Sequence, residues 1–136
     1  MSEKTFVDTN IIIYAHDKKE PVKRKIASAI LNSLWESDVK PVISIQVLQE
    51  LYVNLSRFLT HKETNEILSI YKNWEIIDNT LAIFEKAVSL TQKYELSFWD
   101  SSILSAAIIG RAVIIYTEDL NHGQKIEGTT ILNLFL

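Results

Sequence analysis

The run Phe6-Val7-Asp8-Thr9-Asn10-Ile11-Ile12-Ile13-Tyr14-Ala15 decides how the chain is read. Two apolar residues suited to a short strand stop at an aspartate. Thr9 or Asn10, with side chains able to accept from free backbone N–H groups, then caps a helix begun by Ile11. A strand that turns directly into a helix is the first half of a βα unit. The acid at the junction matters, because ligands of open parallel sheets bind beyond the carboxyl ends of the strands.

Outward from this junction the same alternation repeats. Pro21 opens a second helix at a position where its missing N–H costs nothing, and Val22, Ile26, Ala27, Ile30, Leu31 and Leu34 recur at helical spacing. Residues 41–44 form a second short strand. Ser44 caps a helix that turns Val47, Leu48, Leu51, Tyr52 and Leu55 inward. Thr60 with Glu63 has the spacing of a capping box for a helix through about Asn73. Residues 74–77 make a third strand, and Thr80 caps a helix with Leu81, Phe84, Ala87, Val88, Thr91 and Tyr94 on one face. Ser97 and Asp100 form a second capping box at the start of a helix that Gly110 stops. Residues 112–116 are the most strand-like run, residues 117–128 a polar loop, and residues 130–132 a last edge strand. Strands alternating with helices predict an α/β domain with a mostly parallel sheet of four to five short strands, covered by helices on both faces. No repeat or internal boundary divides residues 1–136, which read as one domain.

Composition narrows the chemistry. With no cysteine, disulfides, thiolate metal sites and cysteine nucleophiles are excluded. The first residues lack a signal-peptide core, and the longest apolar stretches are interrupted by His16 or Arg111, short of the ~20 residues of a membrane helix. A soluble cytoplasmic protein without membrane association is the expectation. The net charge of −3 is low for a nucleic-acid binder, yet setting four site acids aside brings the remainder to about +1.

Those four acids are Asp8, Glu50, Asp100 and Asp119. Asp8 and Asp119 each follow a strand; Asp100 lies in the first turn of its helix, where the dipole favours a carboxylate. Glu50 shares a helical stripe with Gln46, Val47 and Asn54 at the edge of an apolar face. Acids converging in one crevice repel unless a cation neutralises them. An all-oxygen donor set without cysteine or paired histidines suits Mg²⁺, with Mn²⁺ as a substitute, and does not suit zinc.

Four segments in order carry a family likeness. Phe6-Val7-Asp8-Thr9-Asn10 resembles the opening strand of PIN domains, Gln49-Glu50-Leu51 their helix glutamate, and Phe98-Trp99-Asp100-Ser101-Ser102-Ile103 their third acidic motif. Tyr116-Thr117-Glu118-Asp119-Leu120 resembles the fourth, in which threonine, any residue and aspartate favour Asp119 over Glu118. The likeness runs from residue 5 to about 135. It implies a Rossmann-like fold and Mg²⁺- or Mn²⁺-dependent cleavage of RNA. It also implies a homodimer inhibited by a cognate antitoxin, since many small PIN domains are toxins of type II toxin–antitoxin pairs, the VapC kind. In that reading Asp8, Glu50, Asp100 and Asp119 are catalytic and hold one or two ions.

Other residues keep two readings. Thr9 and Thr117 position water or a ligand oxygen, or satisfy local backbone; Asn10 is read as a helix cap beside a ligand-positioning role. Trp99 is read as core packing, with base stacking as its rival. Lys18, Lys19, Lys23, Arg24 and Lys25 are a solvated basic run or a track for RNA phosphates. The apolar segments 45–59 and 67–71 are a dimer or antitoxin surface, or plain core. Among rival functions, a phosphatase with Asp8 as nucleophile wants a second aspartate where Asn10 stands. A nucleotide switch lacks its G-x-x-x-x-G-K loop. A PIN-fold module with a vestigial site, binding RNA or a protein, remains the alternative.

Overall fold

The chain follows the expected alternation and adds one strand to it. A computed structural model describes residues 3–136; Met1 and Ser2, part of the signal-peptide reading, lie outside the described residues. The order is β1 (Thr5–Val7), α1 (Thr9–His16), α2 (Pro21–Trp35), β2 (Val42–Ser44), α3 (Ile45–Leu55), α4 (His61–Tyr71) and β3 (Glu75–Ile77). Then come α5 (Leu81–Tyr94), α6 (Phe98–Ile109), β4 (Ile114–Tyr116), β5 (Lys125–Ile126) and β6 (Thr129–Leu132).

Among the described residues the strands form one six-stranded sheet, in the order β3-β2-β1-β4-β6-β5. Every pairing is parallel except β5 with β6. The expected four to five strands are therefore six. The addition is β5, inside the segment expected to be loop, and β6 lies between β4 and β5 rather than at the edge. Glu127 (φ 46°) and Gly128 (φ 90°) are both left-handed, as a two-residue hairpin with right-twisted strands requires.

The chain starts at the middle of the sheet. From β1 it steps outward through β2 to β3, then crosses back to place β4 on the other side of β1. The direction of winding thus reverses between β1 and β4, which opens a crevice at their carboxyl ends. Consecutive β1 residues point to opposite faces, and Thr5, Phe6 and Val7 are all buried, so the sheet centre is covered on both sides. Phe6, Ile43, Leu51, Leu55, Leu104 and Ile115 are among the side chains wholly withdrawn from water in one continuous core. In α6, residues 101–107 are all buried, as expected of a helix apolar on most sides.

The caps explain the helix starts. Ser44, Thr80 and Ser97 accept from the backbone N–H groups of Val47, Ile83 and Asp100, and Thr60 with Glu63 completes a reciprocal box. The Ser97 cap is one-sided, with no reciprocal Asp100 bond among the described residues. Helix α1 is capped by Asp8 itself, not by Thr9 or Asn10.

Helix faces depart further from expectation. Val22 and Ile26 on α2, Tyr52 on α3, and Leu81 and Phe84 on α5 face solvent; α5 instead buries Ile83, Ala87 and Leu90. At the end of α6, Gly110 has an ordinary φ of −72°. Glycine is needed there for room, because a Cβ would lie 2.9 Å from the Ala106 carbonyl oxygen and 3.0 Å from Ile77 Cδ1. The left-handed residue after the helix is Arg111.

Candidate metal-binding crevice

The register of β1 and β4 brings two strand ends together. Val7 is paired with Tyr116, and the Asp8 N–H donates to the Tyr116 carbonyl at 3.0 Å. One residue further on, the Thr117 hydroxyl donates to Asp8 Oδ2 at 2.7 Å and accepts from the Asp119 N–H at 3.1 Å. The other Asp8 oxygen accepts from the Thr9 N–H at 2.7 Å. A single hydroxyl thus fixes the two acids that follow the two strands.

Glu50 reaches the same crevice from α3. Its Oε1 accepts from the Thr9 hydroxyl at 2.7 Å and its Oε2 from the Gln46 amide at 3.1 Å, so the residue one turn earlier sets its direction. Asp119 Oδ2 accepts from the Asn10 amide at 2.8 Å. Asn10 therefore holds a site acid rather than capping a helix. Its carbonyl oxygen Oδ1 is buried and has no hydrogen-bond partner among the described residues.

The crevice has a volume of about 270 Å³, and Asp8, Thr9, Asn10, Ile13, Tyr14, Glu50, Asn54 and Asp119 line it. Asp100, in the first turn of α6, lies outside this lining but within electrostatic reach of Asp119. Burial pushes the Asp8 carboxyl from its ordinary 3.8 to about 7; the Thr117 and Thr9 hydrogen bonds oppose this, while Asp119 and Glu50 add to it. Asp119 is raised as well, by burial first and then by the charge of Asp100.

An acid so deprived of water holds its charge readily only beside a cation. The oxygen-only donor set, the unsatisfied Asn10 carbonyl and the field on Asp8 all fit a hard divalent ion. The arrangement is spread out, however: among the described residues no three acidic or histidine side chains close up into one ligand cluster. Ligation through intervening waters, common for Mg²⁺, suits that spacing.

The basic run divides. Lys23 Nζ lies 3.0 Å from Glu118 Oε2 and 3.2 Å from the hydroxyl of Tyr14, at the crevice wall. Lys18 and Lys19 line a separate groove with His16, Phe58 and Glu63, and Arg24 and Lys25 a shallow surface with Pro21 and Ser28. Trp99 is 67% exposed, which corrects its reading as core; it lines a groove beside the crevice with Phe84, Phe98 and Gln49. Within segments 45–59 and 67–71, Val47, Leu51 and Leu55 are core, whereas Tyr52, Val53, Phe58 and Ile70 are exposed. Sequence reasoning missed Ile13 and Tyr14 as crevice residues. Their signal was the i+3 and i+4 spacing from Asn10 on α1.

The chain thus places an acidic crevice at the reversal point of a mostly parallel α/β sheet. The PIN domain family matches residues 5–125, and the chain belongs to that family. A sequence search of curated proteins found no match. Solved structures with the same fold include a toxin–antitoxin complex from Klebsiella pneumoniae, 24% identical with a TM-score of 0.75, covering 97% of this chain and 98% of that one. VapBC2 from Rickettsia felis, bound to a DNA fragment from its promoter, is 23% identical with a TM-score of 0.68, covering 93% and 96%. A sarcin–ricin-loop-cleaving VapC toxin from Mycobacterium tuberculosis is 17% identical with a TM-score of 0.69, covering 82% and 87%. The described residues contain no helix long and apolar enough to cross a membrane.

Proposed function

We propose that the protein is a Mg²⁺-dependent endoribonuclease, the toxin of a toxin–antitoxin pair, acting in the cytoplasm as a homodimer of single PIN domains, 1–136, restrained by a cognate antitoxin. The observation that carries the reading is the Thr117 hydroxyl joining Asp8 to the Asp119 segment at the sheet's reversal point, with Glu50 opposite through Thr9. Membership of the PIN family and the shared fold with toxin–antitoxin proteins support it.

Asp8, Glu50, Asp100 and Asp119 would hold Mg²⁺, directly or through waters; Mn²⁺ would substitute. Bound there, the ion would neutralise a phosphodiester and lower the pKa of a water. The chain's own groups do the rest. Thr117 and the Thr9 N–H keep both Asp8 oxygens in place, Thr9 and Gln46 do so for Glu50, and Asn10 for Asp119. These donors fix the carboxylates before substrate arrives, so little reorganisation remains during the reaction. The exposed apolar side chains Tyr52, Val53, Phe58 and Ile70 offer surface for the antitoxin or the second subunit.

Incubating total RNA with the protein in Mg²⁺ tests the activity, and the new ends define the chemistry. Water attack leaves 5′-phosphate and 3′-hydroxyl ends, and EDTA or Asp8→Asn abolishes cleavage. Cyclic 2′,3′-phosphate ends would refute the mechanism, because they mean attack by the ribose 2′-hydroxyl. A vestigial module that only binds RNA or protein has one observation in its favour, the spacing of the acids. RNA binding that survives EDTA, with no cut in any divalent ion, would select that reading.

A further inference from the structure

Thr117-Glu118-Asp119 carries two adjacent carboxylates, yet only one lines the crevice. Both Glu118 oxygens are engaged on the other side of the crevice wall. Oε1 accepts from the Tyr14 hydroxyl at 2.5 Å, and Oε2 is 3.0 Å from Lys23 Nζ. The Lys23 ammonium also donates to the Tyr14 oxygen at 3.2 Å, and it lies 4.6 Å from the Tyr14 ring centroid and 5.4 Å from that of Phe135. Phe135 meets Tyr14 edge-on at 5.2 Å, so the C-terminal segment closes over the cluster. Two side chains, Tyr14 from α1 and Lys23 from α2, thus grip one carboxylate of the loop after β4, and Phe135 of the C-terminal segment packs against both.

We infer that Tyr14 and Lys23 hold Glu118 out of the crevice and thereby position Asp119 inside it, making Tyr14, Lys23 and Glu118 positioning residues of the site. Glu118 and Asp119 are neighbours in the bend that follows β4, so anchoring the one restrains the backbone from which the other projects. Asn10 grips Asp119 from the crevice side, and the Glu118 cluster grips its neighbour from the other. The cluster also gives Lys23 a task other than meeting RNA: its charge is matched by Glu118 and its ammonium lies over two rings. The inference rests on the metal-site reading for its consequence, but the anchoring itself requires no metal.

Three variants test it: Tyr14→Phe, which removes only the hydroxyl; Lys23→Met, which keeps the stem; and Lys23→Met combined with Glu118→Gln. The first readout is amide hydrogen exchange of residues 117–124 in EDTA. The second is Mn²⁺ affinity by calorimetry. Lys23→Met leaves an unmatched Glu118 beside Asp119. Exchange in the loop is expected to accelerate about tenfold, and Mn²⁺ affinity to fall ~10–100-fold, the range for groups that orient ligands. Tyr14→Phe shifts both in the same direction. The double variant, whose neutral amide still accepts from Tyr14 without repelling Asp119, recovers most of both losses. A merely structural role would leave the double variant no better than Lys23→Met, and that result overturns the inference. So does unchanged loop exchange in Lys23→Met. If the wild type takes up no Mn²⁺, the metal-site reading falls, while exchange in EDTA still decides whether Glu118 anchors the loop.

Discussion

Replacing Asp8 by asparagine is expected to stabilise the metal-free protein at alkaline pH and leave it nearly unchanged at pH 5. Asp8 is 5% exposed, and burial raises its carboxyl from 3.8 to about 7. The folded chain therefore keeps this proton to near neutrality, whereas the unfolded chain releases it near pH 4. Between those values the folded state binds more protons, so stability falls as pH rises. The Asp8 contribution is fully present below about pH 4 and lost above about pH 7. The gap from 3.8 to about 7, at ~1.4 kcal/mol per pH unit, sets the loss at ~4 kcal/mol. Asparagine escapes it but matches its neighbours less well. The Thr117 hydroxyl both donates to Asp8 and accepts from the Asp119 N–H, so an amide N–H₂ facing it wastes about 1 kcal/mol. The net gain at pH 8 is ~3 kcal/mol, or roughly 8–10 °C in Tm for a domain of this size. Urea or thermal unfolding in EDTA at pH 5 and pH 8 measures it. Parallel pH dependences for variant and wild type would refute the reasoning, since the cost would then not lie in ionising Asp8.

Thr117→Val keeps the volume of a fully buried side chain but removes the hydroxyl shared by Asp8 and the Asp119 N–H. Unfolding should show a loss of about 1–3 kcal/mol, and Mn²⁺ affinity should drop ~10–100-fold. Gly110→Ala should lower stability by about 1–3 kcal/mol, since the new Cβ meets the backbone oxygen of Ala106 as well as Ile77; denaturation midpoints compared with a nearby surface alanine variant check this.

The strand-then-acid junctions were legible because local chemistry decides them. Phe6-Val7 before Asp8 and the apolar run before Thr117 mark strand ends on any reading, and parallel strands align their carboxyl ends automatically. Glu50 was legible through its stripe with Gln46 and Asn54, both of which bond to it. Strand β5 was not, because two residues carry no period and its turn, Glu127-Gly128, lacks the usual Asn-Gly or Asp-Gly signal. Helix faces were read only in part. Leu81 and Phe84 sit at helical spacing with Ala87, but Ile83, Ala87 and Leu90 make a competing stripe, and packing against α6 selects it. Trp99 escaped for a related reason: the first turn of α6 lies at the crevice rim, outside the core that the rest of the helix enters. The separate lots of Lys23 and the other basic residues depend on tertiary neighbours, Glu118 above all, that a charge run does not reveal.

The most direct test of the carboxylate crevice is a calorimetric Mn²⁺ titration of the wild type beside Asp119→Asn, which needs no knowledge of the RNA target. The expected result is saturable binding by the wild type, weakened at least ~10-fold in the variant, whose Asn10 partner and fold are retained. Equal affinities in the two proteins, or no uptake by the wild type even with RNA present, would contradict a cation site formed by Asp8, Glu50, Asp100 and Asp119.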